Sequence, residues 1–303
     1  MKNNIEFFYN LPVNQLKEYD QYYSFISNNS KYYFLLNTRP IEDLKEISAI
    51  VLELHEKNIA VHSFILNKDQ KLLTTINEKN YLLLKINTSD TLELDLIDIV
   101  NFQNQLILKS ENNKLYRNDW AGLWSEKIDY FEYQIRQLGK EKQVVLNSFS
   151  YYIGLSENAI SYVNHINETT KKEFTLTLAH KRLFSPTLAI NFYNPLTFIF
   201  DLKVRDIAEY LKSAFFNDEN PLIELTNYLK NNYLTVYEYK MLYARLLYPS
   251  YYFDIYEQIM NRNKDENELI KIISKVFDYE LFLKDVYNLL SQYTYLDKID
   301  WLN

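Results

Sequence analysis

The chain contains no cysteine. Disulfides, thiolate metal sites and cysteine nucleophiles are excluded, and this composition fits an intracellular origin. Glycine is nearly absent: Gly122, Gly139 and Gly154 are all there are in 303 residues, and the first 121 residues have none. A loop that relies on glycine to bring its backbone against a phosphate is therefore missing from that region. No apolar run reaches the roughly 18 residues needed to span a bilayer; AIVLEL and YLLL are short. The opening MKNNIEFFYN has no basic region followed by an apolar one, so no signal peptide is expected. Long Lys/Arg clusters are also missing and the net charge is −7. Nucleic-acid binding through a basic face is disfavoured, and membrane insertion is not expected.

What is present suits a soluble globular protein. Hydrophobic residues make up 47% and charged residues 24%, enough for a sizeable core. The length allows one large domain or two small ones. The 28 Tyr and 18 Phe are read first as core packing, with a tyrosine-rich sticky or cross-linkable surface as the alternative.

Periodicity divides the chain near residue 90. KYYFLLN (31–37), VHSFILN (61–67) and YLLLKIN (81–87) read as strands. Between the first two, Leu44, Ile47, Ile50, Val51 and Leu54 make one face of a helix over 41–57. Asn28 and Asn29, in FISNNSKYYF, suit a turn because Asn tolerates positive φ. Residues 1–90 are thus expected to form a small lobe of strands plus one helix. Residues 91–303 are expected to form a larger helical lobe. Its first long helix carries Trp120, Trp124, Ile128, Phe131, Ile135 and Leu138 and ends at Gly139. A helix over 156–165 would be capped by Ser156. Short strands fall near 175–179 and 196–200, followed by helices over 205–216, 221–232, 235–248, 250–262 and 266–292.

A strand-rich lobe followed by a helical one is the plan of a kinase-like phosphotransferase. Phosphoryl transfer needs a Gly-rich turn, a cation paired with a helix Glu, carboxylates for Mg²⁺ and an Asp to take the hydroxyl proton. The Gly-rich turn is absent. Lys31 and Arg39 lie only at the ends of the strand that should carry the cation, and Glu42, Glu46 and Glu53 read as a solvated helix face. A working catalytic loop reads His-Gly-Asp followed by an Asn, but here His180-Lys181-Arg182 leads on to Pro186-Thr187. A guanidinium at Arg182 cannot accept a proton. The metal position falls at Asn194 when the register is anchored on FDLKVRDIAEYL, or at Asp201 in the other register. Asn194 is neutral and a weak Mg²⁺ ligand. Asp206 reads as a helix cap, Asp201 as a turn or structural acceptor, and His180 as a packed loop residue. If the protein is active, His180, Asp201 and Asp206 would carry the chemistry. His55 and His62 lack a third ligand for zinc, Ser148 and Ser150 lack a nucleophile elbow, and Lys171-Lys172 reads as a solvated turn. No cofactor-binding or metal-binding residues are assigned.

Several segments carry a resemblance. LELHEKNIAVHSFILNKDQKLLTTINEKNYLLL, WAGLWSEKIDYFE, FSYYIGLSENAISYV, LAHKRL, FDLKVRDIAEYLK and MLYARLLYPSYYFDIYEQIM occur in the order and spacing of the CotS/YutH-type spore coat proteins. LAHKRL stands at their degenerate His-Gly-Asp, and the last segment is the most specific. The resemblance covers most of the chain. These proteins are relatives of the aminoglycoside and choline phosphotransferases. The resemblance implies an α+β, bilobal protein-kinase-like fold, with a degenerate catalytic loop near 175–206. It also implies synthesis in the mother-cell cytoplasm, a place in the spore coat, and other coat proteins as partners. It does not imply catalysis. The expected function is a non-catalytic, structural or interaction role in sporulation. The alternatives are a small-molecule phosphotransferase with rearranged ligands, or a nucleotide- or ligand-binding sensor.

Overall fold

The structure, a computed structural model, describes residues 1–20, 22–108, 113–117, 119–138, 141–183 and 186–302. The chain divides into two compact units: Met1–Leu94 with His180–Phe198, and Asp95–Ala179 with Ile199–Asn303.

The first unit is a sheet with a helix on each face. α1 (Lys2–Tyr9) leads into β1 (Asn14–Glu18), β2 (Tyr22–Ser27) and β3 (Ser30–Leu36). α2 (Ile41–Glu56), β4 (Ser63–Ile65), β5 (Thr74–Ile76) and β6 (Lys79–Lys85) follow. The strand order is β1-β2-β3-β6-β4, with β5 on β6. β3 and β6 pair antiparallel with Phe34 opposite Leu83, Tyr33 opposite Leu84 and Leu35 opposite Leu82. Strand alternation then sends the two sets to opposite faces. Phe34 and Leu83 join Ile5 and Tyr9 of α1, while Leu82 and Leu84 join Leu44 of α2 together with Ile190 and Leu196. Leu82, Leu83 and Leu84 have no exposure, which is why this strand reads as an unbroken apolar run.

β2 and β3 join through Asn28 and Asn29, with φ of 47° and 58°, and Ser27 pairs with Ser30 across the turn. Two successive residues at positive φ define the hairpin turn whose twist suits antiparallel strands. α1, β1 and β2 carried no clear signal in the sequence. α1 has only Ile5 and Tyr9 buried, too little periodicity to show in eight residues.

The second unit is mainly helical. α3 (Leu96–Gln103) starts with a reciprocal cap in which Asp95 accepts from the Asp98 N–H and Asp98 accepts from the Asp95 N–H. β7 (Ile107–Leu108), β8 (Leu176–His180) and β9 (Phe198–Leu202) form a sheet in that order. α4 (Trp120–Leu138) and α5 (Gln143–Thr169) precede β8. A short α6 (Ala189–Phe192), which belongs to the first unit, lies between β8 and β9. α7 (Val204–Phe216), α8 (Pro221–Asn231), α9 (Val236–Leu247), α10 (Ser250–Met260), α11 (Glu268–Ile273) and α12 (Val276–Leu290) complete the chain. α9 packs against both α5 and α7 and is buried from Tyr237 to Leu247.

Three expectations are corrected. Ser156 does not open a helix: it lies inside α5, fully buried, and its hydroxyl donates to the Tyr152 carbonyl at 2.8 Å. Such back-bonding satisfies a mid-helix serine without ending the helix. The stretch 266–292 is two helices, broken at Ser274-Lys275. The strand expected over 61–67 shrinks to β4, because Asn67 turns the chain by accepting from the N–H groups of Asp69 and Lys71. Gly139, the expected end of α4, lies outside the described residues. Tyrosine serves the core in part: Tyr152, Tyr243, Tyr252 and Tyr256 are among the largest fully buried side chains. No helix among the described residues is long and apolar enough to cross a membrane.

The hairpin turn gives a direct test. Asn29→Val places a β-branched side chain at positive φ and is expected to lower stability by about 1–2 kcal/mol. Asn29→Gly is expected to raise it slightly. Urea-unfolding midpoints of the two variants read both.

Candidate functional site

The segment 180–198 is held within the first unit by side chains that grip its backbone. β8 delivers His180 beside two aromatic rings, with its ring 4.2 Å from Phe192 and 5.4 Å from Phe198, centroid to centroid. Its Nε2 donates to the Phe192 carbonyl at 2.8 Å. A carbonyl only accepts, so the proton belongs on Nε2. His62 repeats the arrangement. Its Nε2 donates to the Ile190 carbonyl at 2.8 Å, and its own backbone N–H donates to the Tyr193 carbonyl at 3.0 Å. Burial lowers the His62 pKa, which favours this neutral form. His55 Nε2 likewise donates to the Val61 carbonyl at 2.9 Å.

Arg39 completes the grip. Its Nε donates to the Leu196 carbonyl at 2.9 Å and one terminal nitrogen to the Phe198 carbonyl at 2.6 Å. The other terminal nitrogen meets Asp43 at 3.3 Å. Arg39 thus holds backbone and Asp43. The buried Asp43, four residues on, is an acidic partner of Arg39. Lys31, the other strand-end cation, pairs with Asp90. Asn194 caps the short 3-10 turn Pro195–Thr197 by accepting from the Leu196 N–H at 3.1 Å. Arg182 is exposed in the stretch after β8.

In the second unit, Asp201 has no exposed surface. Its carboxylate accepts from Trp120 Nε1 at 3.0 Å, the Leu202 N–H at 2.7 Å and Arg205 at 2.7 Å. Burial raises its pKa, against the pull of Arg205 and Arg245. Asp206 is fully buried within the first turn of α7; the helix begins at Val204, so Asp206 does not precede it as a cap. Glu209, one turn past Arg205, accepts from Lys212 at 2.8 Å, Arg245 Nε at 2.7 Å and the Ser250 hydroxyl at 2.8 Å. The Arg245 guanidinium lies 5.0 Å from the Trp120 ring and 5.5 Å from Trp124. Trp124 in turn stacks on Tyr248 at 4.2 Å. Burial works to raise Glu209, but Lys212 and Arg245 outweigh it and hold the carboxyl below its ordinary range. Burial pushes Lys212 down from 10.5 to about 8, with Arg245 adding to the fall and Glu209 resisting it.

Of the candidate residues, His180, Arg182 and Asn194 fall in the first unit, Asp201 and Asp206 in the second. Among the described residues, no cluster of three His, Asp or Glu side chains is placed to hold a metal ion. Sequence reasoning missed Arg39–Asp43 as a pair and the Glu209–Lys212–Arg245 network. The signal was present: 39/43 and 201/205/209/212 follow helical spacing.

The fold is that of the aminoglycoside phosphotransferases. An aminoglycoside phosphotransferase from Alicyclobacillus acidocaldarius superimposes with a TM-score of 0.62 at 10% identity, over 92% of this chain and 93% of that one. A spectinomycin phosphotransferase solved with ADP and spectinomycin gives 0.60 at 14% identity, over 94% and 96%. Within that fold the chain belongs to the spore coat protein family described as "Spore coat putative kinase YutH", whose profile matches residues 2–286. It is 25% identical to the endospore coat-associated protein YutH of Bacillus subtilis (strain 168) over 339 aligned positions, covering 100% of this chain and 98% of that protein.

Two measurements test the buried network. Asp201→Asn removes the carboxylate that pairs with the buried Arg205 and is expected to cost about 3–5 kcal/mol, while Asp201→Leu combined with Arg205→Met recovers most of that loss. Denaturant unfolding of the three proteins reads it. The second concerns pH. Unfolded Lys212 keeps its proton up to 10.5, whereas folded Lys212 releases it near 8. Between those values the unfolded chain binds more protons, so this lysine's contribution to stability rises with pH. The melting temperature of the native protein is expected to gain on that of Lys212→Met as pH goes from about 8 to about 10.

Proposed function

We propose that the protein is a non-catalytic, kinase-fold component of the spore coat, made in the mother-cell cytoplasm. It serves sporulation by holding other coat proteins rather than by transferring phosphate. The observation that carries this reading is the state of Asp201. The carboxylate at the strand end is sealed from solvent and already accepts from Trp120, Arg205 and Leu202. A metal ligand or proton acceptor must instead reach its substrate.

Three further features support it. The β2–β3 connection is a two-residue Asn-Asn turn with no glycine, which offers no cradle of N–H groups for phosphates. The buried cation Arg39 donates to the Leu196 and Phe198 carbonyls and pairs with Asp43. In the register that matches the family, Arg182 stands where the base should be and Asn194 where a metal ligand should be, and Asn194 accepts a helix-capping bond. Loss of one such group costs orders of magnitude in rate, and these losses are independent.

The deciding experiment is a thermal-shift titration with ATP, with and without Mg²⁺. Any ligand bound only by the folded state raises its stability by about 2.7 kcal/mol at a hundredfold excess over Kd. No shift at millimolar ATP is expected. A Mg²⁺-dependent rise in melting temperature would favour a phosphotransferase or nucleotide sensor instead.

A further inference from the structure

A cavity of about 380 Å³ opens in the second unit, where the end of α5, the first turn of α9 and the segment holding Thr294 and Tyr295 converge. None of the degenerate catalytic positions lines it. Tyr233 and Tyr295 stand in its wall with 82% and 75% of their surface exposed. Thr170 and Thr294 contribute hydroxyls, each able to donate and accept, whereas the Thr235 hydroxyl already donates to the Glu173 carbonyl and accepts from the Glu238 N–H.

The charges in this wall are compensated. Lys171 pairs with Glu173, and Lys240 pairs with Asp297 at 3.2 Å while lying 5.9 Å from the Tyr295 ring. Cations that already hold carboxylates offer little to a phosphate, sulfate or nucleotide, whose binding rests on unneutralised Lys or Arg. What the wall does offer is aromatic faces beside a mixed set of donors and acceptors. That combination matches a pyranose ring, which presents an apolar face of C–H groups and a rim of hydroxyls. The volume lies at the low end of the roughly 300–1,000 Å³ of small-molecule pockets. A proline-rich peptide would need a longer aromatic groove.

We infer that this cavity is a binding site for a neutral carbohydrate of one or two pyranose rings, with Tyr233 and Tyr295 as stacking surfaces and Thr170 and Thr294 as hydroxyl partners. The site is independent of whether the kinase-like positions are active.

The test is isothermal titration calorimetry of the whole protein with cellobiose, maltose and N,N′-diacetylchitobiose, using inorganic phosphate as the charged comparison. Saturable binding of at least one disaccharide is expected, with no binding of phosphate. Tyr233→Ala and Tyr295→Ala, both at exposed positions, should each weaken it by about tenfold without moving the melting temperature. Absence of binding by all three disaccharides at about 10 mM would overturn the proposal. So would affinity unchanged in both variants, or displacement of the sugar by phosphate or a decaproline peptide.

Discussion

Asp201 is a carboxylate with no access to water, and a charge in that position is tolerable only while its partners stay in place. Those partners come from different parts of the second unit. Trp120 belongs to α4, the Leu202 N–H to β9 itself and Arg205 to α7. The constraint then spreads by one helical turn at a time. Arg205 is followed by Glu209, which gathers Lys212, Arg245 of α9 and Ser250 of α10. Asp201, Asp206 and Glu209 balance Arg205, Lys212 and Arg245 in sign. The indoles of Trp120 and Trp124 form the apolar wall against which the Arg245 guanidinium lies. Removing one member strands another in a medium that cannot solvate it. The rotation of α7 about its axis and the depth of α9 are therefore tied to one electrostatic arrangement.

The first unit uses a related solution without a cluster of charges. The stretch 190–198 is the end of the single-turn α6, a 3-10 turn and the start of β9, and carbonyls that such short helices leave unpaired are met by donors from elsewhere. His62, His180 and Arg39 supply them, reaching Ile190, Phe192, Leu196 and Phe198. His180, a candidate site residue, thus holds the backbone of this stretch together with His62 and Arg39. The fold is shared with phosphotransferases at 10–14% identity. Fold alone does not carry chemistry, which resides in particular side chains and their access to a reactant.

Much of the architecture was legible in the sequence. α2 and the helices from α7 to α10 were visible because their apolar residues recur with helical spacing. The Asn-Asn hairpin was legible because few residues tolerate positive φ. The N-terminal elements were not, since α1 is short and β1 shows hardly any burial alternation. Ser156 misled because the same side chain serves as a helix cap or, when buried, back-bonds to the preceding turn. The site was half legible. The absence of glycine and the Arg at position 182 could be read directly, but Arg39–Asp43 and Glu209–Lys212–Arg245 were not singled out, because spacing alone does not show which charges pair.

The sequence by itself determined the covalent and local terms: no thiol chemistry, no glycine in the first 121 residues, a guanidinium rather than a carboxylate at position 182, and the rhythm of most helices. These follow from residue type and spacing alone. Only the tertiary structure decided what the remaining charged residues do. An aspartate is written the same way whether it binds a metal in water or accepts from an indole and a guanidinium in a dry core. Burial and the donors brought to it from distant elements make that difference, and neither is encoded within a single segment.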